Sequence, residues 1–264
     1  MDAFEKLEKR VREMGLYACE AQHDIRRSYK EDGSVLTATD LFVNSSLIET
    51  IRELFPTANL VTEELATEFN PDAPWSFVVD PIDGTDVYSQ GLPSWAISLG
   101  ILDCNLQCVG GMVYAPRWGL SHENGLFFRK DPDSQVTLNG MPFEPVKGSS
   151  DPMQVSMSSD TARYLDFSSY EGKLRCFGSN IIHMISILVH PNIHGSVSVP
   201  CYAWDMAGAH ALLQSLGFSV EYYDGSPFVY TLDMLARRRP FKTVVLSGTK
   251  QSLREIRRML PEKR

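Results

Sequence analysis

Apolar residues first recur at helical spacing. Phe4, Leu7, Val11, Met14, Ala18, Ala21 and Ile25 follow one another at steps of three and four, which predicts an amphipathic helix at the amino end. A second stripe, Val43, Leu47, Ile51 and Leu54, predicts a helix over 40–55 that Pro56 stops. The period then changes. Trp75 to Val79 is a short apolar run of strand type, and 95–102, 108–114 and 125–129 follow as strands between polar turns. Asn139-Gly140 has the chemistry of a hairpin turn. From 154 onward the two patterns alternate. Strands are expected over 154–157, 174–177, 195–199 and 242–246, and helices over 180–190, 204–216 and 252–260, with Gly217 closing the second helix. The first half reads as α+β and the second as α/β, without an internal repeat. Pro145, Gly148, Ser149, Ser150 and Pro152 crowd the stretch between them, so two subdomains are expected, 1–147 and 148–264.

The densest chemistry follows the 75–79 strand. Asp80-Pro81-Ile82-Asp83-Gly84-Thr85 places two carboxylates at a strand's carboxyl end, where α/β proteins bind ligands. Pro81 suits a strand that has just ended, Gly84 permits a tight turn, and Thr85 is placed to cap a short helix whose free N–H groups would bind phosphate. Alone, the motif reads equally well as a solvated turn. It is no EF-hand, because Ile82 and Gly84 stand where that loop needs oxygen ligands. Glu63-Glu64, Asp40 and Asp205 add further acids. Each has a bland reading, a solvated turn for the glutamates and a helix N-cap for either aspartate. Together they form the inventory of hard oxygen donors that Mg²⁺ requires.

Charge and cysteine content narrow the classes. Of 264 residues, 25 are Lys or Arg and 33 Asp or Glu, a net charge of −8 that argues against a nucleic-acid partner. No apolar run approaches a membrane span and the amino terminus is charged throughout, so neither a signal peptide nor an anchor is expected. Five scattered cysteines without a C-x-x-C favour the cytoplasm over a disulfide scaffold or structural zinc. His183, His190 and His194 fit no common zinc spacing, and Arg237-Arg238-Arg239 reads as a solvated run before Pro240 rather than a second phosphate site.

In order and spacing these motifs resemble the inositol monophosphatase family, within the magnesium-dependent, lithium-sensitive phosphatases that include fructose 1,6-bisphosphatases and bisphosphate nucleotidases. The resemblance rests on Asp80 to Thr85, on Trp204-Asp205-Met206-Ala207-Gly208, on the Glu63-Glu64 pair and on Lys30-Glu31-Asp32-Gly33-Ser34 through Asp40. It spans nearly the whole chain. It implies a layered helix-and-sheet sandwich, a homodimer, and a phosphatase of a small phosphate monoester using two to three Mg²⁺ ions. By resemblance, Glu64, Asp80 and the Ile82 carbonyl would hold a first metal and Asp80, Asp83 and Asp205 a second. A third, weaker ion would lie near Glu64 with Glu63 close by. Thr85 and Asp40 resemble the dyad that deprotonates the nucleophilic water. Gly84 and Thr85 would bind phosphate, and Gly178 and Ser179 resemble a turn near substrate. Ser198, seven residues before Asp205, stands where inositol-cleaving members carry a glutamate. Inositol 1-phosphate is therefore expected to be a modest substrate, and Ser198→Glu to improve it. The competing readings are a 3′(2′),5′-bisphosphate nucleotidase and a non-catalytic interaction protein that keeps the fold.

Overall fold

The computed structural model describes residues 2–119, 125–145 and 153–263. Helix α1 (Ala3–Ala21) starts at a reciprocal cap: Glu5 N donates to the Asp2 carboxylate and Asp2 N to that of Glu5. Its buried stripe is Leu7, Val11, Met14 and Ala18. Strands β1 (Arg27–Tyr29) and β2 (Val35–Thr37) form a small antiparallel hairpin leading into α2 (Ala38–Leu54). Then come β3 (Asn59–Thr62), β4 (Trp75–Asp83), the five-residue α3 (Thr85–Ser89), β5 (Ala96–Asp103), β6 (Cys108–Ala115) and β7 (Leu126–Lys130). The short β8 (Thr137–Leu138) and β9 (Met141–Pro142) flank Asn139 and Gly140, both at positive φ, as the hairpin reading requires.

The second half holds β10 (Gln154–Met157), β11 (Lys173–Arg175), α4 (Asn180–Val189), β12 (Ile193–Ser198) and α5 (Ala207–Ser215). It closes with β13 (Ser219–Tyr222), α6 (Leu232–Leu235), β14 (Val245–Gly248) and α7 (Lys250–Met259). Gly217 follows α5 at φ 82°. The stripes were too short to show β1, β2, β3 or β13.

Strands β3 to β9 form one seven-stranded sheet in chain order, parallel only between β3 and β4. The other sheet runs β11-β10-β12-β14-β13, with β10 parallel to both neighbours and β14 antiparallel to both. Helices α1 and α2 cover one face of the larger sheet, α4 and α5 lie between the sheets, and α7 covers the outer face of the smaller one. This is the layered sandwich expected. The boundary expected over 144–152 lies outside the described residues except for Glu144 and Pro145. One apolar cluster joins the halves, with Val78, Val113 and Phe128 of the larger sheet packed with Ile181, Ile185 and Leu212 of the middle helices.

Helix α5 approaches the larger sheet closely because glycines form the floor beneath it. Gly100 of β5 pairs with Gly111 of β6, and a Cβ at Gly100 would stand 2.3 Å from that of Ala207. From the helix side, a Cβ on Gly208 would meet Ser98 Oγ at 2.5 Å. This close seat sets the height of the turn just before α5, which carries Asp205. Gly100→Val is therefore expected to lower stability by about 1–3 kcal/mol through overpacking and to lower activity further by lifting that turn. Thermal unfolding read beside phosphate release checks this, and unchanged activity in a destabilised variant would refute the link.

Candidate metal and phosphate site

Residues three apart on a regular strand point to opposite faces of a sheet. Asp80 and Asp83 escape this rule through a bulge. Asp80 pairs with Ser98 and Asp83 with Ala96, so three steps on β4 oppose two on β5. Strand β4 thus continues past the expected end at Val79, and Pro81 sits inside the bulge rather than beyond a finished strand. The bulge turns both carboxylates to one side. Asp205 joins them, and one ligand oxygen from each of the three lies within 4.8 Å of the others.

Each acid is held by a backbone N–H. Ile82 N donates to Asp80 at 3.0 Å, Tyr202 N to Asp205 at 2.7 Å, and Ile181 N to Asp83 at 2.8 Å. Ser179 caps α4 by accepting from Ile182 N, and its hydroxyl donates to Asp83. The amino end of α4 thus meets the bulge of β4, across the two halves of the chain. Asp80 is 1% exposed and Asp83 4%. Burial pushes all three acids up, Asp83 to about 7 and Asp80 and Asp205 well above the usual carboxylate range, with the neighbouring carboxylates adding to the shift of Asp80 and Asp205.

A cavity of about 480 Å³ opens over the cluster, lined by Glu63, Asp80, Ile82, Gly84, Thr85, Gly178 and Asp205 among others. Thr85 Oγ1 donates to Asp40 at 2.9 Å, with the Ile82 carbonyl also at 2.9 Å. Asp40 is not the N-cap of α2. Thr37 takes that place and Asp40 closes the capping box from its third position, accepting from Thr37 N at 2.9 Å. Burial raises the Asp40 pKa, against the hydrogen bonds of Thr37 and Thr85. The N-cap of α3 is Gly84, in the left-handed region at φ 89°, and not Thr85. Asp205 likewise lies in the turn ahead of α5, which begins at Ala207.

A profile described as the inositol monophosphatase family matches residues 3–247. The chain belongs to that family. Inositol monophosphatase family members are phosphoric monoester hydrolases and depend on metal, and that reaction class comes with membership. The Nus factor SuhB of Pasteurella multocida is 25% identical over 234 residues, 84% of each chain. Human inositol monophosphatase 1 is 26% identical over 243 residues, 86% of this chain and 84% of its own. In fold, the chain is similar to an IMPase of Thermotoga maritima, with TM-score 0.79 and 20% identity over 98% of this chain and 96% of that one. It is also similar to the extragenic suppressor protein suhB of Bartonella henselae, with TM-score 0.76 and 16% identity over 97% of both.

Three placements expected from the sequence change. Glu63, not Glu64, faces the cluster: it lines the cavity with Asp80 and Asp205, and its charge raises the pKa of both. Glu64 turns to a separate cavity beside Leu41, Asn44 and Arg52. Lys30 Nζ bridges the pair, 2.6 Å from Glu63 and 2.7 Å from Glu64. Ser198 is fully buried at the end of β12, paired with Val245, and lines neither cavity beside the cluster. The third change is in the arginine run. Arg237 and Arg239 are exposed beside Asp233, but Arg238 turns inward to an adjoining cavity of about 360 Å³ with Lys30, Tyr202 and Trp204. His183 Nε2 accepts from Phe177 N and His194 Nδ1 from Gln154 N, while the His190 ring meets Trp118 edge-on. Val87 packs against Gly178, where an added Cβ would meet it at 2.3 Å, so α3 is wedged onto the Gly178-Ser179 turn.

Two predictions arise from these placements. Below an ordinary aspartate pKa of about 4, the cluster is protonated in folded and unfolded chains alike. As pH rises through the folded value of about 7 for Asp83, the unfolded chain has already released its proton. The metal-free protein therefore loses stability across that window, and a divalent cation restores it. Asp83→Asn should raise the metal-free melting temperature by an amount that grows from pH 5 to pH 8; a pH-independent difference would contradict the assignment. Ser198→Glu should not redirect specificity. It buries a carboxylate and is expected to cost about 3 kcal/mol or more, read as a lower melting temperature.

Proposed function

We propose that the chain is a Mg²⁺-dependent phosphatase acting on a small phosphate monoester of an inositol, sugar or related polyol, by attack of an activated water. The observation that carries this is the convergence of Asp80, Asp83 and Asp205 beside a cavity that Asp80, Asp205, Gly84 and Thr85 line, with Thr85 bonded to Asp40. Buried carboxylates this close repel one another, and hard oxygen donors in this number suit Mg²⁺. Asp80, Asp83, Asp205, Glu63 and the Ile82 carbonyl would hold two ions, with Glu64 and Lys30 flanking any third. When bound, the ions neutralise the phosphate and make a water nucleophilic near neutral pH.

The chain's own residues do the rest. Thr85 has one hydroxyl proton; given to Asp40, it leaves the oxygen lone pairs to accept a proton from the attacking water. Burial of Asp40 makes it a stronger base than a free aspartate. Gly84 and Thr85 line the cavity, and their N–H groups would receive phosphate oxygens. A bisphosphate nucleotide would need a second anion site. The nearest cations are engaged already, Lys30 by Glu63 and Glu64, and Arg238 by the backbone carbonyls of Thr62 and Glu63. Relatives named Nus factors share the family, but the full set of acids favours catalysis here over binding alone.

Release of inorganic phosphate, with and without Mg²⁺, over inositol phosphates, sugar phosphates, histidinol phosphate and adenosine bisphosphates tests the reading. Mg²⁺-dependent turnover of a polyol or sugar phosphate is expected, with inhibition by Li⁺. Thr85→Ala should lower kcat by roughly 10²–10⁴ as a lost proton relay, and Asp83→Asn should abolish turnover. Full activity of Asp83→Asn at ordinary Mg²⁺, or no release from any substrate, would overturn it.

A further inference from the structure

Arg238 has no part in the chemistry above, yet it touches two of the three segments that bring acids to the site, the end of β3 and the turn before α5. It lies just after α6, in a left-handed backbone conformation at φ 52° that costs a non-glycine residue free energy. Its Nη2 donates to two backbone carbonyls, Thr62 at 2.9 Å and Glu63 at 2.6 Å. Its guanidinium carbon stands 5.2 Å from the centre of the Trp204 ring, which stacks in turn on Tyr202 at 4.6 Å and 8°. Trp204 is the residue before Asp205. One side chain thus joins the end of β3 to the Trp204-Asp205 turn, across the two halves of the chain.

What this join controls follows from the two glutamates beside it. Glu63 and Glu64 follow the end of β3 in a bend, where Glu63 lines the cavity of the acidic cluster and Glu64 the cavity beside α2. Lys30 pulls on both and does not choose between them. A roll of the backbone would exchange them. The two carbonyls held by Arg238 are what oppose that roll, because they fix the orientation of the two peptide planes that meet at the Glu63 Cα. Both bonds leave one nitrogen of a flat group whose carbon also stands over the indole, whereas a lysine ammonium is a compact point charge without that planar contact.

We propose that Arg238 is a positioning residue that keeps the Glu63 carboxylate turned toward Asp80 and Asp205, and so sets the divalent-cation affinity of the site. The proposal rests on reading the acidic cluster as the metal site. Arg238→Gly is the informative variant, because glycine suits the left-handed backbone and removes the side chain without straining the loop. Mn²⁺ binding to the metal-free protein, followed by the electron paramagnetic resonance of free Mn²⁺, gives a readout apart from turnover. Affinity is expected to fall roughly 10- to 100-fold, as when a group supporting a metal ligand is lost. The metal-free melting temperature should stay within a few degrees, and lost turnover should return at raised Mg²⁺. Ethylguanidinium should restore part of the affinity, and Arg237→Gln, which alters an exposed neighbour, should bind Mn²⁺ normally. Should Arg238→Gly fail to fold, Arg238→Lys decides: weakened Mn²⁺ binding supports the proposal and wild-type binding overturns it. Wild-type affinity in Arg238→Gly with weakened binding in Glu63→Gln overturns the positioning role alone. Unchanged affinity in both Glu63→Gln and Asp83→Asn overturns the metal reading and the positioning role with it.

Discussion

Mutual repulsion among Asp80, Asp83 and Asp205 is the constraint around which the rest of the molecule is arranged. Carboxylates so close, with two of them almost wholly shielded from water, would separate if their segments were free. They stay together because each is tethered by a backbone N–H within or close to its own segment, or, for Asp83, by the amino end of a helix from the other half. The fold supplies the rigidity. The bulge in β4 directs two acids, the glycine floor under α5 sets the height of the third, and the wedge of Val87 on Gly178 keeps the cap of α4 against Asp83.

The same arrangement explains why the middle layer is the most apolar part of the molecule. Helix α4 buries nearly every side chain, because it is covered by sheets on two faces rather than one. Helices α1 and α7 face water on one side and keep a single stripe. Burial on two faces gives the polar amino end of α4 its leverage, since the helix that presents Ser179 and Ile181 to Asp83 has little room to shift.

Much of this was legible in the residues. Helical stripes and apolar runs placed the long elements within a few positions, and the motifs named the acids that meet. What remained hidden shares one physical cause: direction at single-residue resolution. Asp80 and Asp83 look like opposite-facing residues until a bulge shifts the register, and one sequence does not announce a bulge. The Glu63-Glu64 pair shows that a glutamate is needed but not which of two adjacent side chains points inward. Ser198 lies seven residues before Asp205, on the far side of Pro200, and its side chain packs inside the smaller sheet. Arg238 sits in a run of three arginines of which two are solvated; only its left-handed backbone sends it the other way. Thr37 and Asp40 were a readable capping box, and the box rather than a lone N-cap holds the carboxylate beside Thr85.

That the acids come from segments as distant as β4 and the turn before α5 bears on how the chain acquires its shape. Contacts between residues so far apart in sequence close large loops and therefore form late. A partly folded chain with only the larger sheet assembled would contain Asp80 and Asp83 but not Asp205, nor the helix end that restrains Asp83. A cation that needs all three would gain little from such an intermediate and much from the completed sandwich. By mass action its binding then deepens the native state alone, without steadying the partly assembled forms that precede it.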